Sequence, residues 1–534
     1  MKRNRQLSMQ KLQAMLVIVL SFACLPVWAN TNIAASVTFS DVGTTISNSA
    51  PGDTVIMPPG TAHWSSLMEF RGINLLGSGT NQTIIVDDMD RNANPYPPLI
   101  LVHGSGTNTM QFGNFQMVGG NNTRNWHGEV VVDAPNPIRI HDLYFNLCND
   151  KVLELDAANL ALIDHCYFRL KYAGILIHDV GWGDASWASP PNYGTALMPV
   201  VEDCVFTNID HAGASDNVVD CEWGGRCTFR HNLVYYATFN AHGTESGGRN
   251  RGGRLFEVYS NTFIQDPAIA FPSAINLRAG SGVFYGNTCT GFSYFANLNV
   301  NRSTERFNPW AAGDGTSPWD DNVGTNYLSG THSGANGAKY LQVAGANWTI
   351  NQWVGYSVVN NDWTNNLDMG GWWLTNGCVN YNYSVIISNS ANRIFYHVSK
   401  DYGFMLFTNG NHFIVNKVNH IIDQPGLGSG DLVKGEQQPW GPDPWNTTTG
   451  VASWPHENIE GIFSWNNTLN GVDAGFVSDF PQAQSGREFF NDTPKPGYTP
   501  LIYPHPLQNN IGGGGGGGGS ASSLQPPARV WVQF

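Results

Sequence analysis

The feature that most constrains this chain is a short unit that recurs in register. The run IRIHDLYF at Ile138–Phe145 aligns with ALIDHCYF at Ala161–Phe168, 23 residues on, and PVVEDCVF at Pro199–Phe206 follows after a further 38. Copies continue as RHNLVYY from Arg230, EVYSNTFI from Glu257, VFYGNTCTG from Val283 and FSWNNTLNG from Phe463. Each unit is a few alternating apolar residues bounded by Gly or Asn, too short to bury its apolar face alone. Stacked copies bury that face continuously, which is the logic of a solenoid. Asn232, Asn261 and Asn287 fall at equivalent places, 29 and 26 residues apart. At a recurring turn they are expected to adopt the left-handed conformation and to hydrogen-bond their equivalents above and below.

Composition agrees with strands rather than helices. Charged residues make up 13% of the 534 and Gly numbers 60, the opposite of what long helices use. With 41% hydrophobic residues the chain can nevertheless fill a core. No 3.6-residue apolar period persists, so helical repeats are disfavoured.

The opening after residue 46 reads SNSAPGDTVIMPPG, with INLLGSGTNQTIIVDD following Gly72. These runs resemble the first coils of secreted right-handed parallel β-helix proteins of the pectin-lyase-like superfamily. The resemblance implies an all-β, right-handed parallel β-helix (a solenoid) and a carbohydrate-related role. The expected organisation is a signal peptide at 1–29, parallel β-helix at 30–300, a linker or lid with a small antiparallel β insertion at 301–400, remaining coils and a C-terminal cover at 401–510, and a Gly-rich linker and tail at 511–534. Coils are expected to resume at 403–424, and the Pro-rich end to cover the last coil.

Residues 1–29 carry a basic start, an apolar run from Ala14 to Leu25 and Val27-Trp28-Ala29 as a small-x-small end. They read as a cleaved secretory signal, and no later segment is apolar enough over a membrane-spanning length. The expected location is therefore secreted, periplasmic or extracellular. After cleavage 23 basic residues face 41 acidic ones. Such a balance excludes nucleic acid as a general partner; the resemblance implies polysaccharide or another glycan instead, and a monomer is expected. Seven cysteines remain, without a CxxC pair. That argues against zinc and against a disulfide scaffold, although Cys221 and Cys227 are placed to staple a turn; Cys166 and Cys204 suit buried thiols better.

The densest candidate site lies between two repeat units. His242, Glu245, Arg249, Arg251 and Arg254 share a stretch with five glycines and no apolar side chain. In β-helix polysaccharide lyases a cation neutralises a uronate carboxylate while a base removes the adjacent proton. Here arginines would supply the cation, Arg249 as a substrate contact, and His242 the base, with Glu245 tuning it. A second constellation is Asp216, Asp220 and Glu222. Alternate residues of an extended run share one face about 6.5–7 Å apart, a spacing compatible with inverting hydrolysis. Asp203 or His242 from a neighbouring coil would join them. Trp182, Trp187 and Tyr193, in the excursion between Val180 and Met198, offer rings for sugar stacking. The Asp164-His165 pair is similar to a run in pectate lyases but lacks that family's partner motifs downstream. Calcium remains open, since no motif specifies it.

Three readings follow. The first is a lyase on an acidic, uronate-containing polysaccharide. The second is a non-catalytic glycan-binding or surface-spacing β-helix. The third is a glycoside hydrolase using paired carboxylates.

Overall fold

The computed structural model describes residues 29–91, 97–106, 108–120, 128–148, 151–156, 158–179, 183, 186–187, 189–208, 217–243, 251–266, 272–299, 326–354, 356–363, 383–396, 405–417, 423–429, 437–438, 441–442, 445–446, 451–452, 458–478 and 483–509. Residues 1–28, Glu245, Arg249, Trp182, Asp216 and the Gly-rich tail lie outside these residues.

The repeat folds as a parallel β-helix. Two successive strands of each coil, such as Ala161–Asp164 and Tyr167–Arg169, belong to one bent sheet. The third, such as Ala173–His178, belongs to a second sheet of ten strands. Pairing between coils is parallel and keeps the register read from the repeats. Ile138 faces Ala161, Leu162 faces Val200, Glu202 faces Arg230, Thr228 faces Glu257 and Val283 faces Phe463. Because side chains alternate along a strand, a slip of one residue would turn every core side chain outward. The apolar pattern therefore fixes register on its own. Inside, Phe145, Phe168 and Phe206 stack at 4.9 and 4.5 Å along the axis. The helix Phe39–Ser47, capped by Thr38, sets Val42 and Ile46 into the core at the first coils.

The bend between the two strands of the bent sheet is sharp because one residue takes positive φ. It is Asp142, His165, Asp203, His231, Ser260, Gly286 or Asn466 in successive coils. The expected left-handed asparagines are thus one residue out: Asn232, Asn261, Asn287 and Asn467 follow the strained residue and are buried. Their amides form the expected ladder. Asn232 Nδ2 donates to Asn261 Oδ1 at 3.1 Å, Asn261 to Asn287 at 3.0 Å, and Asn287 to Asn467 at 2.9 Å. Toward the N-terminal coils the same position holds Cys204 and Cys166, whose buried thiols donate to the carbonyls of Ile163 and Ile140 at 3.7 Å. Cys221 and Cys227 face each other with sulfurs 3.8 Å apart and are free thiols.

Between Leu298, which ends a strand of the second sheet, and Ile462, which begins a strand of the bent sheet, the chain leaves the solenoid. A six-stranded antiparallel sheet lies in this excursion, with its own core of Leu341, Trp353, Val358, Ile386, Ile394 and Phe413. Its strand His412–Lys417 pairs with Leu328–Thr331 and Tyr356–Asn360. The expectation that coils resume at 403–424 is corrected accordingly, because FIVN alternates like a coil strand but closes the inserted sheet. Among the described residues, no helix is long and apolar enough to cross a membrane.

The C-terminal segment does not stop at the last coil. It runs back along the bent sheet, where Tyr498 Oη donates to Glu257 at 2.5 Å, Arg230 donates to the carbonyls of Leu501 and Ile502, and His505 N donates to Glu202 at 2.8 Å. The prolines hold it extended, and the buried charges beneath it supply the partners.

Candidate functional site

The outer face of the second sheet gathers polar side chains that the repeat does not need. Strand Asn217–Cys221 carries a register shift at Asn217–Val219 against strand Thr238–Ala241. Val218 and Val219 are consequently both in the core. Asp220 then projects outward, between inward-facing Val219 and Cys221. The irregularity needs Gly174 on the preceding strand, since a Cβ there would come within 2.5 Å of the Val218 carbonyl oxygen.

Three groups converge on the Asp220 carboxylate. Lys151 Nζ donates to Oδ2 at 2.6 Å, Asn240 Nδ2 donates to Oδ1 at 3.0 Å, and His242 Nε2 lies 3.1 Å from Oδ1. Asn240 sits beside Asp220 on the next coil, and His242 follows it where that strand gives way to the loop. Lys151 comes from two strands back, roughly 9–10 Å at normal strand spacing, a gap its long stem crosses over Ala173 and Gly174. Asn276 extends the row, donating to Asn240 Oδ1 at 3.1 Å, with Asn297 next in register. The Asp220 side chain is 4% exposed, whereas Lys151 and His242 are each 15% exposed. Burial works against ionisation of Asp220, but His242 and Lys151 outweigh it and hold the carboxyl well below the usual range.

A second imidazole neighbours this cluster. His178 Nε2 lies 2.8 Å from Glu154 Oε1 and its Nδ1 lies 3.6 Å from Asp156, while the Trp223 ring packs 4.9 Å away. Burial disfavours the imidazolium, yet Glu154 foremost, then Asp156 and Glu222, raise the His178 pKa. Glu222 is half-buried, and its backbone bridges to Gly252.

The arginines have another position. Arg251 is fully buried and forks onto Asp423, with Nε to Oδ2 at 2.9 Å and Nη2 to Oδ1 at 2.5 Å. Arg251 and Arg254 lie 4.9 and 5.1 Å from the ring of Trp187, which is itself buried and donates to the Gly252 carbonyl. Arg226 completes the assembly through Ser186 and Pro190, and burial, then Arg254, lowers its pKa to about 10. Arg251 and Arg254, expected to meet a uronate carboxylate, are instead buried, Arg251 on Asp423 from far along the sequence, while Arg249 lies outside the described residues. Trp187 is corrected likewise, from sugar platform to packing element. Tyr193 packs edge-on to Tyr498 beneath the Lys495 ammonium, with its hydroxyl buried, which corrects its expected role as an open ring. Asp203 lies at a bend of the bent sheet, accepting from Tyr503 Oη at 2.8 Å, and does not join Asp220.

The structure thus brings together Asp220 and His242 and adds Lys151, Asn240, Glu154 and His178, which sequence reasoning missed. In KVLELD only Glu154 interrupts the apolar run; Lys151 and His178 stand at strand ends and give no such signal. Among the described residues no group of three or more metal-ligating side chains is placed to hold an ion.

No known protein family and no curated protein matches this sequence. Among solved structures, the chain is similar to the alginate lyase from Paenibacillus sp. str. FPU-7, with 16% identity and a TM-score of 0.32 over 49% of this chain and 95% of that one. It is also similar to DFA-IIIase from Arthrobacter chlorophenolicus A6 without its lid, with 15% identity and a TM-score of 0.28 over 51% of this chain and 90% of that one.

Proposed function

We propose that this protein is an exported carbohydrate-active β-helix enzyme that cleaves an acidic, uronate-containing polysaccharide by β-elimination at the Asp220 cluster. One observation carries the reading: an ammonium and an imidazole, Lys151 and His242, rest on one buried carboxylate on the outer face of a parallel sheet. Elimination needs a base for the proton beside the uronate carboxylate and positive charge to stabilise the anion that forms; the C=C bond then forms as the bond to the glycosidic oxygen breaks, and that oxygen leaves with a proton taken from water or from the protonated base. His242, its ring held at Nε2 by Asp220, is the base in this reading. Lys151 is the cation that meets the substrate carboxylate in this reading. Asn240 and Asn276 add amide groups suited to sugar hydroxyls.

The lyase reading passes the cationic role from the arginines to Lys151. It is favoured over hydrolysis through Asp220, since a general acid must hold a proton near neutral pH and this carboxyl is kept ionised. Export rests on the character of residues 1–29.

The test is incubation of the full-length protein with pectate and alginate, following ultraviolet absorbance of unsaturated ends. Product should form with the wild type and be lost in H242A and K151M. Reducing ends without unsaturation would replace this reading with hydrolysis. Binding without any cleavage would replace it with a non-catalytic glycan module.

A further inference from the structure

The inserted antiparallel sheet presents one face that its own core does not use. Strand Tyr340–Gln342 lies at the edge of this sheet, paired antiparallel with Arg393–Tyr396, so that Tyr340 faces Phe395 and Gln342 faces Arg393. Leu341, Ile394 and Tyr396 point into the core. Alternation therefore places Tyr340, Gln342, Arg393 and Phe395 together on the other side. The Tyr340 and Phe395 rings are 6.2 Å apart at 49°. The Arg393 guanidinium lies 4.9 Å from the centre of the Tyr340 ring, and its Nε donates to Gln342 Oε1 at 2.9 Å. Phe395 is 37% exposed, and Ile387 on the neighbouring strand is 55% exposed.

We propose that this face is an accessory binding surface for an anionic polysaccharide strand, distinct from the Asp220 cluster. Aromatic rings beside a guanidinium and an amide combine an apolar platform for the C–H face of a sugar with donors for its carboxylate and hydroxyls. Arg393 is fixed by stacking and by Gln342, so little conformational freedom remains to be lost on binding.

Charge selects the occupant. The whole chain has 27 basic against 41 acidic residues, yet residues 326–417 carry four basic residues, Lys339, Arg393, Lys400 and Lys417, against three acidic ones. The strands Tyr340–Gln342, Tyr383–Asn389 and Arg393–Tyr396 contain no carboxylate at all. An anionic polymer repelled by most of the surface meets no such repulsion here.

Connectivity gives the surface a use. The insertion departs after Leu298 on the second sheet, the sheet that carries the Asp220 cluster. Its return leg is clamped to the solenoid by Arg251 on Asp423, by Gly426 N on the Gly280 carbonyl, and by Ser281 Oγ on the Leu427 carbonyl at 2.7 Å. Tethering a second binding surface on the same chain raises the local concentration of polymer at the first.

The polymer's acidic character is taken from the preceding reading, and the experiment separates the two. Full-length wild type, Y340A/F395A and R393E are run by affinity electrophoresis through gels containing alginate, polygalacturonate or a neutral galactomannan, and assayed for unsaturated ends on short oligouronides. An unchanged melting temperature checks folding, for which the exposed R393E is the safer variant. Retardation by the acidic gels should weaken roughly tenfold in both variants, with turnover of short oligomers unchanged. Unaltered retardation in folded variants overturns the proposal. So does retardation by the neutral gel alone, or a change in sedimentation with retardation intact, which would assign the face to a second copy of the chain. Lost retardation with no unsaturated product in any variant leaves the surface standing and removes the lyase reading; the converse pattern does the reverse.

Discussion

The Asp220 cluster and the arginine cluster around Trp187 arise from overlapping stretches of sequence, yet they end in opposite settings. His242 closes a strand of the second sheet and meets Asp220, where it and Lys151 both retain some exposure. Arg251, nine residues on, is fully buried against Asp423, 172 residues away in sequence. Local charge density is the same clue in both cases. What separates them is whether a distant segment returns to neutralise the charge. A buried fork of this kind is a fastening, since replacing either partner strands a charge in a dry environment. Lys151 and His242, by contrast, each stay 15% exposed on the face of the sheet.

This contrast can be broken by mutation. R251A should cost about 3–5 kcal/mol of unfolding free energy, measured by denaturant titration, because it abandons Asp423 in the interior. Activity per folded molecule should barely change; a specific loss of turnover in folded R251A would return the arginine to the site. H242A should show the reverse, with turnover down about 10²–10⁴-fold and a smaller loss of stability than R251A, because Lys151 and Asn240 still pair the buried Asp220. Equal effects of the two substitutions on stability would erase the distinction. N261A should fall between, costing about 1–3 kcal/mol without touching turnover, because it removes the acceptor of the buried Asn232 N–H and the side-chain donor to the Phe229 carbonyl; hydrogen exchange at the bend would report it.

The smallest effect concerns pH. The His178 pKa is raised in the fold by Glu154 against the cost of burial. Its contribution is therefore fully present below the ordinary value of 6.5 and fades as pH rises through the elevated folded-state value. The stability difference between wild type and H178A should shrink along the same course. A difference that grows with pH would mean that the imidazole is buried neutral.

Much of the solenoid was legible because it depends on a local pattern. Ile138 against Ala161 and Val283 against Phe463 are pairings that alternation alone dictates. The contact between Asp220 and His242 was legible for the same reason, one coil being the distance that brings them level. Lys151 and His178 were not, since an outward polar residue on a strand looks like any solvated position. Only the actual stacking order, with two strands to cross, reveals which of them share a partner. The sealing of Arg251 and Trp187 was hidden more deeply, because Asp423 follows an inserted sheet and nothing local announces where the chain returns.

The C-terminal segment has a consequence for assembly. A stack whose coils touch only their neighbours can fray or fold piecemeal. Here Glu202 and Arg230, both buried, wait for residues 501–508, about 300 positions later in the chain. Glu202 and Arg230 pair with each other, and their further partners come only when residues 501–508 dock. That places a long-range contact at the end of folding, and it joins coils that would otherwise melt independently into one cooperative unit.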